Sequence, residues 1–181
     1  MKFLEARQLF DFKIGTRVPV SAYIKQSLMA TFFLLIFFMV WNHFIPLSNQ
    51  IIFSAVASST FLTFISTGIY NSLSSKIIGG QLIGVLVGVV LWFAWHSASI
   101  SFPQFHDEIF ILALALSTGI ALLLMSVLDF EHPPAAGTAM AFVFNSNQPA
   151  ATDVLFIIVC AISLGITHNW LKEHFLLKDL N

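Results

Sequence analysis

Charge is scarce in this chain. Asp, Glu, Lys and Arg together make up 9% of its 181 residues, against about 25% in a soluble domain. That deficit excludes a soluble globular fold, and 57% hydrophobic residues with a mean hydropathy of +0.87 point the same way. Eight basic and nine acidic residues leave a formal net charge of −1, so there is no basic surface for nucleic acid. Cysteine is nearly absent. The single thiol, Cys160, cannot form an intramolecular disulfide. Residues 1–25 lack a long apolar stretch and carry Lys2, Arg7, Lys13, Arg17 and Lys25. A secretory signal places its apolar core sooner and ends in small residues, so no cleaved signal is expected.

What is abundant is apolar sequence in long runs, with twenty phenylalanines among them. A helix needs roughly 20 apolar residues to cross the hydrocarbon of a bilayer. Five stretches meet that length: about Leu28–Ile45, Ile51–Tyr70, Ile77–Trp95, Ile109–Leu128 and Val154–Trp170. A sixth, Ala135–Phe144, follows Pro133-Pro134 and is too short for an ordinary span. The expected fold is an all-α polytopic membrane protein. It has five long transmembrane helices plus a short Pro-Pro-initiated half-helix or sixth short span. Residues 1–25 form an N-terminal arm, 26–172 the transmembrane domain and 173–181 a short tail.

Lys and Arg set the orientation. They lie in the arm, at Lys76, and at Lys172 and Lys178, whereas the connections around His43–Gln50, His96–Glu108 and Asp129–Ala151 have none. The N-terminus, Lys76 and the tail therefore belong in the cytoplasm, which requires the short sixth piece to cross. Trp41, Trp92 and Trp95 stand near span ends, as interfacial aromatics do. Internal repetition is weak: Lys76–Ile83 and Pro133–Met140 both place small residues at a helix start, a common feature of membrane helices.

The stretch richest in chemistry is Asp129-Phe130-Glu131-His132-Pro133-Pro134-Ala135-Ala136-Gly137-Thr138-Ala139. Proline suits the first turn of a helix. The N–H groups of Ala135, Ala136 and Gly137 would then face the loop behind small side chains. Such a helix start attracts anions through its donors and its dipole, and broken helices in transporters use the same device. A plain structural Pro-Pro turn is the alternative. In the second span, Ser59, Thr63 and Ser66 lie within about 60° of one another on the helix. That stripe suits either helix packing or the lining of a hydrated path. Gly80, Gly84 and Gly88 recur every four residues on one face, which lets two backbones approach closely. The partner helix belongs either to the same subunit or to a second copy in a homo-oligomer. Lys76 either draws an anion toward a cytoplasmic mouth or snorkels and fixes orientation. His43, His96 and His106 fit no metal-ligand spacing, so no metal and no cofactor are expected.

The block Glu131–Ala139 resembles the signature of the HPP family of integral membrane proteins. Ile77-Ile78-Gly79-Gly80-Gln81-Leu82-Ile83-Gly84 resembles that family's second shared block, and the Ser58–Phe61 run is similar too. The resemblance extends over roughly Lys25 to Trp170. It implies a core of four membrane helices. Plant chloroplast and cyanobacterial members are linked to nitrite transport, which implies a small anion as substrate. The chain departs from the pattern at the second block. Many members have a Pro and a basic residue before the Gly-Gly pair and a His after it; here Ser74, Ser75 and Lys76 precede the pair and Gln81 follows.

These readings converge on a transporter or channel for a small inorganic anion, nitrite first, in a bacterial inner membrane with the N-terminus cytoplasmic. Its expected partners are the lipid bilayer and that anion. The N–H groups after Pro133-Pro134 would bind it, with His132 and Thr138 as further donors. The hydroxyls of Ser59, Thr63 and Ser66 would line the path, and Lys76 or the Gly79-Gly80 helix start would supply the opposing positive end. Glu131 and Asp129 would keep His132 protonated or carry a coupled proton. A non-transporting membrane scaffold is the alternative. An enzyme using Glu131 and His132 as an acid–base pair is disfavoured, because neither a nucleophile nor a metal trio accompanies them.

Overall fold

A computed structural model describes residues 20–44, 52–65, 74–145, 147–171 and 173. The described residues form six α-helices: α1 (Val20–Phe44), α2 (Ile52–Phe64), α3 (Ser74–Ser101), α4 (His106–Val127), α5 (Pro134–Phe144) and α6 (Ala151–Leu171). A 3-10 turn, Pro103–Phe105, joins α3 to α4. Helix is what an apolar solvent demands, because backbone N–H and C=O groups must be satisfied within the segment. Local signals set the ends. Asp107 and Glu108 stand in the first turn of α4 and Asp153 in that of α6, where acids suit the dipole.

Four helices, α1, α3, α4 and α6, are long and apolar enough to cross a membrane. The expectation of five long spans is thus corrected at the second one. Helix α2 has 13 residues, about 20 Å at 1.5 Å per residue, and Ile65 after it is already in a turn. Hydropathy sums solvation along the chain and is blind to where a helix stops. Residues 66–70 of that expected span lie outside the described residues, and so do Ser66 and most of the arm and tail. The Pro-Pro piece is the second short helix, α5, with 11 residues.

Helix α3 is central and packs on α4, α5 and α6. Its glycine stripe meets α5 within the chain. A Cβ on Gly84 would collide with the Ala135 carbonyl oxygen, and one on Gly88 would sit 2.7 Å from the Ala139 carbonyl oxygen. Ile83 and Val87 of α3, Ala121 and Met125 of α4, and Ala135, Ala136 and Ala139 of α5 fill the space around this contact. A second apolar cluster is aromatic. Phe156 of α6 is ringed by Phe37, Phe38 and Trp41 of α1 and Phe53 of α2, at centroid distances of 5.2–6.2 Å. The outer face of α1 presents Leu28, Phe32, Leu35 and Met39, all more than half exposed, as suits a lipid-facing helix. Trp92 and Trp95 are buried against neighbouring helices. The Trp92 indole N–H donates to Asn145 O at 2.9 Å, satisfying backbone just past the end of α5.

The α3–α5 contact leaves no room for a methyl group at Gly84. Gly84→Ala should destabilise the protein by about 1–3 kcal/mol, read as a lower thermal midpoint in detergent. Gly119→Ala is the matched control, since nothing lies within 4 Å of that position; its midpoint should be unchanged or slightly higher.

Candidate functional site

The loop from α4 to α5 builds the site. Helix α4 closes with Leu128 N–H donating to Leu124 O at 3.0 Å and Phe130 N–H to Met125 O at 2.8 Å. Between them Asp129 adopts φ 61°. This is the left-handed C-terminal cap usually given to glycine, which Asp tolerates better than most side chains. The reversal sends the chain back across the start of α3. There Gly79 lies under the Phe130 ring and Gly80 under His132, whose Cβ would be 2.5 Å from a Cβ on Gly80. With no side chain on α3 in the way, His132 enters the interior and is fully buried.

Inside, four polar side chains form a chain of hydrogen bonds. Thr138 Oγ1 of α5 donates to Gln81 Oε1 of α3 at 2.7 Å. Gln81 Nε2 donates to Ser59 Oγ of α2 at 2.9 Å, and His132 Nε2 lies 2.9 Å from the same oxygen. All four are at most 3% exposed. Ser59 also donates to Ala55 O at 3.0 Å. A hydroxyl has one hydrogen and two lone pairs. With its hydrogen on Ala55 O, Ser59 accepts from Gln81 and, in the His132 tautomer that carries hydrogen on Nε2, from His132 as well. In that tautomer two N–H donors, from Gln81 and His132, converge on one oxygen atom.

At the start of α3 lies a charged knot. Lys76 is 3% exposed. Its ammonium donates to the Asp129 carbonyl and pairs with Asp129 Oδ1 at 2.7 Å and Glu131 Oε2 at 3.3 Å. Lys76 is thus enclosed by two acids of the reversing loop, a trio of formal charge −1, and is neither an open positive mouth nor a snorkelling side chain. Asp129 and Glu131 contact Lys76, with Asp129 largely solvent-exposed.

The expected helix-terminus anion site needs correction. Ala135 N–H donates to His132 O at 2.8 Å and Ala136 N–H to Pro133 O at 3.1 Å. Both residues are buried against α3. The Pro133-Pro134 turn closes on itself in a tight 3-10 step, and those N–H groups have no solute-facing side. Gly137 is half-buried, with the Ala55 methyl 3.9 Å from where its Cβ would be. Of the second-span stripe, Ser59 joins the polar chain, while Thr63 Oγ1 donates back to Ser59 O at 2.9 Å. Gln81 is the site residue that sequence reasoning passed over. Its signal was its position directly after Gly79-Gly80, where it was noted only as a departure. Beyond the polar chain, the space bordered by Val56, Ser59, Gln81, Ile157, Cys160, Ala161 and Leu164 has no room for a water molecule.

With this geometry in view, one comparison is positive. A family model described as HPP, transmembrane region, matches residues 16–169. No curated protein and no solved structure matches the chain.

Removing the shared acceptor should orphan two buried donors. Ser59→Ala is expected to cost about 1–3 kcal/mol, whereas Ser58→Ala, on the exposed face, should change stability little. Thermal unfolding of the two variants in one detergent compares them directly. Equal effects would show that the Ser59 node is not satisfying Gln81 and His132.

Proposed function

The chain belongs to the HPP transmembrane family, and from that membership and its buried donor pair we propose that it transports a small oxyanion, with nitrite the first candidate. That it is an integral membrane protein follows from the family and from its four long apolar helices. The transport reading rests on one observation: Gln81 Nε2 and His132 Nε2 converge on a single oxygen, Ser59 Oγ, at 2.9 Å each. A solute oxygen placed where Ser59 Oγ now sits would receive the same two bonds. N–H donors of this kind make charge-assisted hydrogen bonds to an anion that carries its charge on oxygen. When Ser59 holds that place, the donors are satisfied and the site is closed.

Stability alone is a poor reason for the polar chain. Interhelical hydrogen bonds in membrane proteins contribute about 0.6 kcal/mol each, and well-packed apolar side chains would serve as well. Polar and ionisable side chains kept inside a membrane domain are by default functional. In this reading Pro133 and Pro134 aim His132, and Ala135, Ala136 and Gly137 keep α5 close to α3. Thr138 orients the Gln81 amide so that its N–H faces Ser59. Lys76, Asp129 and Glu131 fasten the loop that carries His132. The setting proposed is a bacterial inner membrane, and the distribution of Lys and Arg supports a cytoplasmic N-terminus.

The scaffold reading draws on the closed packing around Gln81. Uptake into proteoliposomes loaded with a nitrite-sensitive reporter separates the two. The wild-type chain should admit nitrite. Gln81→Met and His132→Ala should each weaken it, since a hydrogen bond to a charged group contributes about 1.5–3 kcal/mol, or roughly tenfold or more in affinity. Gly119→Ala should be silent. Uptake indistinguishable from empty liposomes would leave the scaffold reading standing.

A further inference from the structure

The helix lengths repeat. In order they are 25, 13 and 28 residues, then 22, 11 and 21. Each half reads long, short, long. Contacts between the helices repeat with them. Phe64, the last residue of α2, packs on Phe33 of α1 with the rings tilted and their centroids 5.6 Å apart. Phe144, the last residue of α5, packs on Phe110 of α4 in the same tilted manner at 5.8 Å. Lys76 and Asp153 are each the third residue of their helix, and both are buried.

The directions of packing show how the halves are related. Along α3, Gly80, Gly84 and Gly88 meet His132, Ala135 and Ala139 in turn, so α3 and α5 are parallel. Likewise α6 runs parallel to α2: Phe53 meets Phe156 near both starts, and Phe64 shares a groove with Ser163 further along both. By contrast α3 and α6 are antiparallel. Ser74, at the start of α3, has its Oγ 2.8 Å from Gly165 O and 2.7 Å from Asn169 Oδ1, near the end of α6. A two-fold axis perpendicular to the helices would relate two such sets, as in the inverted repeats of many secondary transporters, with the α3–α4 packing as the contact that has no comparable counterpart between α6 and α1. The register differs from the weak sequence match noted above: α2 corresponds to α5 and α3 to α6.

Two bodies of helices can be distinguished by their separate clusters, although α3 also packs on α6 and α2 on α5 across the boundary between them. Helices α3, α4 and α5 share one apolar cluster and backbone-to-backbone contacts. Helices α1, α2 and α6 share the aromatic cluster around Phe156. The polar chain straddles the boundary between them. Gln81, His132 and Thr138 belong to the first body, and Ser59 to the second. We infer that the chain consists of two inverted three-helix halves, and that separation of the two bodies at Ser59 opens the Gln81–His132 donor pair alternately to the two faces of the membrane. This rests on the transport reading and specifies a carrier with a site reached from both sides.

Two cysteine measurements in reconstituted full-length protein test it, each in a Cys160→Ala background. Ser75→Cys and Ala151→Cys, at the exposed starts of α3 and α6, should react with a membrane-impermeant thiol reagent from opposite faces. Reaction from the same face would overturn the inversion. Ser59→Cys, nearly isosteric with the native residue, should react with a small charged thiol reagent added to either face. Thr138→Cys repeats the test from the other body should Ser59→Cys fail to fold. Reaction from one face only, or from neither, would overturn two-sided access. Neither readout uses nitrite, so failed uptake and failed labelling are distinguishable.

Discussion

Helix α5 lies with its backbone directly on α3, and most of the remaining architecture depends on that approach. Gly80, Gly84 and Gly88 leave the line of closest approach on α3 without side chains. Ala135, Ala136 and Ala139 do nearly the same on α5. In a membrane no hydrophobic force draws two helices together, so close packing of this kind must supply the attraction. The proximity brings Thr138 within hydrogen-bond reach of Gln81 and lets His132 pass over Gly80 into the interior. A methyl group on the stripe would push α5 and the His132 loop off α3.

The reversing loop solves a second problem, that of holding an irregular segment inside an apolar domain. Such backbone is tolerated only where protein surrounds it and satisfies its polar groups. Lys76 does part of this by donating to the Asp129 carbonyl while its charge is met by two acids. Asp129 serves twice, as the left-handed cap of α4 and as an ion-pair partner. The Pro133-Pro134 turn adds the tight bonds that occupy the first N–H groups of α5. The N–H donors left to meet a solute are therefore side chains, aimed by this framework, and not the helix terminus itself.

The HPP block located the irregular segment correctly in the chain, because two prolines followed by small residues mark a helix start by local sterics alone. His132, Thr138 and Ser59 were legible as candidates on the same local grounds. Gln81 was not, since one amide in an apolar run has no pattern until its partners are known. Lys76 was misread because its two acids stand more than fifty residues away in sequence. The inferred repeat was invisible as sequence, since corresponding helices of the two halves share their relative lengths and few side chains.

Composition by itself determined that this chain resides in a membrane as a bundle of helices, because transfer of apolar side chains and backbone satisfaction are sums over local segments. It also determined where the glycine face and the proline break must fall. Only the tertiary structure decided that one of the five long runs is a short helix, and that the glycine face joins helices within one chain. The same holds for which polar groups meet at Ser59. Those outcomes depend on the geometry of groups distant in sequence, and a one-dimensional pattern of hydrophobicity carries no record of it.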